Sequence, residues 1–153
     1  MTEATQDNTQ PMFNMDKIYV KDISLEIPHA PQIFLERESP QIEVQLHTSA
    51  GSVDDGVFEV TVTATVTAKI ADKVMFLIEA KQAGIFTLRN LPEAEKEPVL
   101  AVMCPNILFP YLREVVSDVS VRAGFAPVML NPINFDVLYQ QQQQTQAAGA
   151  TTH

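Results

Sequence analysis

A chain of 153 residues with 19 acidic against 10 basic residues carries a formal net charge of −9, fits one domain, and repels phosphate backbones and anionic lipid. That balance argues against nucleic acid as a partner and favours basic protein surfaces, although solubility alone also accounts for it. Its 46% hydrophobic residues fall in short periodic runs, none of which approaches the ~20 consecutive apolar residues of a membrane span. The polar start from Met1 to Gln10, with Glu3 and Asp7, lacks the basic flank and apolar centre of a secretory signal, so the expected location is the cytoplasm. A lone Cys104 and histidines at 29, 47 and 153 offer neither a disulfide framework nor the spacing of zinc ligands, and no metal or cofactor is expected.

In chain order, Lys17 to Ile27 reads as a strand with Tyr19, Ile23, Leu25 and Ile27 on one face and Asp22, Ser24 and Glu26 on the other. Prolines 28, 31 and 40 then predict a longer crossover rather than a central strand. Ile42, Val44 and Leu46 alternate with Gln41, Glu43, Gln45 and His47, the period of a half-buried strand. A turn over Ser49 to Gly56 leads into Phe58, Val60, Val62, Ala64, Val66 and Ala68, interleaved with Glu59 and four threonines. After a break at Ala71-Asp72, Val74 to Gln82 forms a fourth strand with Phe76, Ile78 and Ala80 opposite Leu77, Glu79 and Lys81.

Beyond Gly84 the period becomes helical, with Leu108, Leu112, Val115, Val116 and Val119 on one stripe. Asn106 is the expected N-cap, Pro110 fits the first turn, and Gly124 is placed to end the helix. An earlier helical piece starts near Pro98, and Pro105 is expected to separate the two. Asn134 caps a short helix through Tyr139 that passes into the polar run Gln140 to Gln144. The predicted organisation is a flexible tail over 1–14, a domain over 15–139 and a flexible polar tail over 140–153. Four strands followed by helices make an α+β fold with an antiparallel sheet.

Catalysis finds little support. Cys104 lies in an apolar run rather than in the positive surroundings that activate a thiolate, and neither His29 nor His47 is paired with it by sequence. Asp22 and Glu26 share a strand face about 13 Å apart at ~3.3 Å per residue, too far for a typical carboxylate pair. Asp22, Glu26 and Glu79, with Leu77 as an apolar anchor, read better as a protein recognition patch, though a solvated sheet face has the same pattern. Phe34, Phe86, Phe109 and Tyr111 each read, alone, as packing rather than as part of a peptide groove.

The run Cys104-Pro105-Asn106-Ile107-Leu108-Phe109-Pro110-Tyr111, followed by Arg113-Glu114, resembles the signature stretch of the SecB export chaperones. Ile18 to Ser24 with Glu26, Gly84-Ile85-Phe86, and Pro132 to Leu138 match the same family in order. The resemblance implies a four-stranded antiparallel sheet with C-terminal helices on one face, assembled as a homotetramer, a dimer of dimers. It also implies a binding protein and not an enzyme, one that holds unfolded precursor proteins without ATP, keeps them translocation-competent and delivers them to the SecA translocation ATPase. No insertion into the membrane is implied.

Residue by residue, the family's SecA-binding surface maps onto Asp22, Glu26, Leu77 and Glu79, where it receives a basic, zinc-containing tail of SecA. Positions tied in the family to tetramer integrity correspond to Ile78, Ala80 and Gln82, with Ala80 smaller than the usual branched residue. The resemblance makes Phe34, Phe86 and Phe109 the candidates for a client groove. Two alternatives remain: a hot-dog-like thioesterase, opposed by the order of elements, and a SecB-like chaperone dedicated to one antitoxin or other local client.

Overall fold

The computed structural model describes residues 9–150, with side chains to residue 147. Its alternating runs pair as four antiparallel strands: β1 (Met12–Glu26), β2 (Gln41–Asp54), β3 (Val57–Ile70) and β4 (Lys73–Arg89), in the spatial order β1-β4-β3-β2. The two strands with buried positions along most of their length, β3 and β4, are central, and β1 and β2 form the edges. A crossover containing a 3₁₀ turn, Gln32–Leu35, carries the chain from one edge to the other, anchored by buried Ile33.

Helix follows the sheet. A short α1 (Glu93–Pro98), a π turn (Val99–Met103) and α2 (Cys104–Arg122) run on without a break, and α3 (Phe135–Ala150) comes last. α2 packs on β3 and β4, burying Leu108, Leu112 and Val116 against Val60, Val62, Val66, Ile78 and Phe86. Among the described residues all helical mass lies on one face of the sheet, and the other face has no layer over it.

Several expectations shift. β2 runs on through Gly51, paired with Glu59, so the hairpin turn is only Asp54 to Val57 and not Ser49 to Gly56. β4 extends past Gly84 to Arg89 rather than giving way to helix there. Gly84 is not a break: an added Cβ would meet the Phe86 ring at 2.8 Å and Leu108 at 3.1 Å, so glycine is what lets α2 settle onto the strand. Pro105 does not divide the helix, since Cys104 keeps helical angles (φ −63°, ψ −47°). Its missing N–H falls where the bonding changes from the π to the α pattern. Pro110 lies inside α2 at an exposed position, and its helix starts before Asn106, which is therefore no cap.

Gly124 ends α2 as expected, with φ +93° and a bond from Phe125 N–H to Ser120 C=O at 3.1 Å. Asn134 does cap α3, its Oδ1 accepting from the N–H groups of Asp136 and Val137 at 3.1 and 3.2 Å. The expected tails are shorter: Met12 to Asn14 already pair with β4, and the glutamine run continues α3 as helix to Ala150. The remaining parts of those tails, 1–8 and 151–153, lie outside the described residues.

Candidate functional site: an acidic outer face and apolar margins around the helix

Residues opposite one another in an antiparallel ladder point to the same side, with Cβ atoms about 4.5–5.5 Å apart. On the face away from the helices the ladder sets Glu26 beside Leu77, Ser24 beside Glu79 and Asp22 beside Lys81. The sequence-predicted patch is thus brought together: Asp22 and Glu26 are exposed on the edge strand, and Leu77 and Glu79 are half-buried on its neighbour. Leu77 pairs on its other side with Thr67, and Thr67 with Glu43, so the top row is Glu26, Leu77, Thr67, Glu43. Glu43 is an addition; its alternation was legible, but only the order of strands puts it in line with Glu26. Among the described residues Asp22, Glu26, Glu43 and Glu79 make no ion pair, and the cations that are paired bind Glu59, Glu93 and Asp118.

Tyr19 was expected with Ile23 and Leu25, yet it lies on the acidic side. One extra residue in β1, Lys21, stands between the pairs Val20–Gln82 and Asp22–Lys81, and this bulge reverses the phase of the strand. Tyr19 and Lys21 both hydrogen-bond to Glu59 of β3, the lysine at 2.6 Å. Burial first, then the Glu59 hydrogen bond and charge, push the Tyr19 phenol up to about 12. Lys21 first, then Tyr19, hold the Glu59 carboxyl below its ordinary value.

On the helix side, α2 is narrower than the sheet. Inward-facing residues of both edge strands are left open: Val20, Ile23 and Leu25 on β1, Ile42 and Val44 on β2, each 37–48% exposed. Along β2, Ile42, Val44 and Leu46 face Val128, Met129 and Leu138 across a groove of about 610 Å³. None of its lining residues is charged and its walls are mostly apolar, a surface suited to an extended apolar segment. Tyr111, Val121 and Met129 add exposed apolar area on and beside α2.

The three aromatic groove candidates are not gathered. Phe34 is 47% exposed on the crossover and stacks on Phe125 at 5.2 Å, which stacks on Phe76 at 4.8 Å. Phe86 is fully buried beside Phe13, and Phe109 is buried against Phe135 with the Arg113 guanidinium 5.1 Å from its ring. Phe86 and Phe109 are core residues of the chain itself, so neither offers its ring to a client without unpacking α2.

Ile78, Ala80 and Gln82 lie in a line on β4 beneath α2, each no more than 3% exposed. They are within the chain rather than on its surface, and the small Ala80 leaves room for the helix. Gln82 keeps its side-chain Oε1 buried without a hydrogen-bond partner, a cost of roughly 1–3 kcal/mol. Cys104 is fully buried, and burial pushes its thiol up to about 12, a packing residue with no thiolate to offer.

Comparison with known proteins agrees with this geometry. Residues 6–146 match the family model for SecB, the preprotein translocase subunit. Proteins named protein-export protein SecB are 56% identical in Methylobacillus flagellatus (99% of this chain, 98% of that protein) and 63% identical in Nitrosomonas eutropha (96% and 91%). A third, from Nitrosomonas europaea, is 61% identical over 97% of this chain and 92% of its own. In fold the chain is similar to a SecB-like chaperone of Mycobacterium tuberculosis solved in complex with a ChAD peptide from an antitoxin, with TM-score 0.65, 17% identity, and 79% and 90% of the two chains covered. With a matched family model over nearly its whole length and relatives above half identity, this chain belongs to the SecB family of protein-export chaperones.

Proposed function

We propose that the chain works in the cytoplasm as a homotetramer, a dimer of dimers, that captures unfolded precursor proteins without ATP and delivers them to SecA. The observation that carries this reading is the division of the sheet into two unlike faces. One is acidic with an apolar anchor; the other is apolar wherever α2 fails to cover it. Folded proteins hide their apolar segments, so an apolar groove selects unfolded chains and shifts their population by mass action. No bond in the client is made or broken, and nothing in that selection consumes ATP.

The β2 groove of Ile42, Val44, Leu46, Met129 and Leu138 is the client site we favour, with Phe34 extending it along the crossover in the assembled protein. Open edge strand β1 and the exposed residues Tyr111 and Val121 of α2 are the surfaces for copies of the chain. Ile78, Ala80 and Gln82 then act on assembly indirectly, by setting how α2 sits. Asp22, Glu26, Leu77 and Glu79 receive the basic, zinc-containing tail of SecA; the zinc belongs to that partner.

A chaperone devoted to one local client is the second reading, and the antitoxin peptide held by the Mycobacterium tuberculosis protein gives it a precedent on this fold. Asp22, Glu26 and Glu79, without ion pairs among the described residues, favour export, since a dedicated chaperone has no need of a delivery surface. Light-scattering mass tests the proposal: alone, the protein is expected at about four times its 17.0 kDa chain mass, rising on addition of an unfolded precursor and not of the same precursor prefolded. A monomer, or an oligomer indifferent to unfolded protein, contradicts it.

A further inference from the structure

The phase of β1 decides whether Asp22 faces the acidic side or the helices, and the bulge at Lys21 sets that phase. In a strand without the extra residue, a Tyr19 on the outer face would turn Asp22, Ser24 and Glu26 toward α2. Glu59 holds Tyr19, ahead of the bulge, and Lys21, the bulge residue itself, reaching across β4 where the intervening residue beside Tyr19 is the small, buried Ala83. Lys21 is the immediate chain neighbour of Asp22. Its ammonium is nevertheless turned to Glu59, and Asp22 is left unpaired among the described residues.

We propose that Glu59 is a positioning residue for the acidic face: it pins the β1 bulge through Tyr19 and Lys21, and it keeps the Lys21 ammonium from neutralising Asp22. This inference rests on reading that face as the SecA contact. Glu59 itself touches no partner; it acts through Lys21.

The test uses the intact full-length protein and calorimetric titration with the zinc-loaded basic tail peptide of SecA. Glu59→Gln is expected to weaken binding by a factor of about 1.4 to 5, the range of an exposed ion pair of ~0.2–1 kcal/mol now formed in competition by Lys21 and Asp22. Adding Lys21→Met to Glu59→Gln restores the original affinity. Adding Lys17→Met instead leaves the loss in place, although Lys17 lies on the same outer face in the same rung as Glu59 and changes net charge equally. Equal rescue by both lysine changes would show a mere net-charge effect and overturn the proposal. So would an unaltered affinity of Glu59→Gln in a protein where Asp22→Asn binds weakly, which leaves the SecA face standing. Should Asp22→Asn also bind normally, the face itself is misassigned and the proposal falls with it. If Glu59→Gln does not fold, Glu59→Asp, too short to hold both donors, carries the same expected loss and the same selective rescue.

Discussion

Asp22→Lys combined with Glu79→Lys is expected to abolish binding of the SecA tail, by roughly a hundredfold or more, while leaving capture of unfolded precursor at its original level. Both carboxylates are on the outer face, Asp22 exposed and Glu79 half-buried, and neither supports a hydrogen bond or ion pair within the described residues. Reversal therefore removes no internal contact; it places two positive charges, with Lys81 between them, where a basic segment has to dock. Like charges in contact oppose association more strongly than a neutral change does. Over the screening length of about 8 Å at physiological ionic strength, the repulsion also slows encounter. Calorimetry with the SecA tail and a light-scattering assay with unfolded precursor read the two functions separately. Equal loss of both, with the fold intact by circular dichroism, would mean that delivery and capture share one surface.

Leu108→Ala should cost about 2–5 kcal/mol of stability, the usual range when a fully buried leucine leaves a cavity. Leu108 rests on Gly84, and the strand there has no side chain to move into the vacated space. The cavity stays open, so the loss belongs at the upper part of the range. Urea unfolding at one fixed protein concentration measures it, because assembly makes the midpoint concentration-dependent. A change below about 1 kcal/mol would mean that α2 is held chiefly by contacts with other copies and not by its own sheet.

Much of this architecture was legible because one face of the sheet is buried. Alternation from Phe58 to Ala68 and from Phe76 to Ala80 has no other physical solution, and it also placed Asp22, Glu26, Leu77 and Glu79 on a common side. The phase of Tyr19 was not legible, since the Lys21 bulge breaks the period without any glycine or proline to mark it. Gly84 and Pro105 misled for the opposite reason: both are local breakers by propensity, and tertiary packing uses the first to seat a helix and a π turn absorbs the second. Phe86 and Phe109, each read alone as packing, are buried; only the resemblance made them groove candidates. Depth depends on how wide α2 is relative to four strands, and that same mismatch opens the groove along Ile42 and Val44, which no single segment reveals.

The central claim is that capture and delivery use opposite faces of one sheet, and methyl-resolved NMR of the assembled protein tests it most directly. Titration with an unfolded precursor segment should perturb the methyls of Ile42, Val44 and Leu46 and leave Leu77, Thr65 and Thr67 unchanged; the zinc-loaded SecA tail should do the reverse. Overlapping footprints, or a precursor that perturbs the Leu77 row first, would contradict the account.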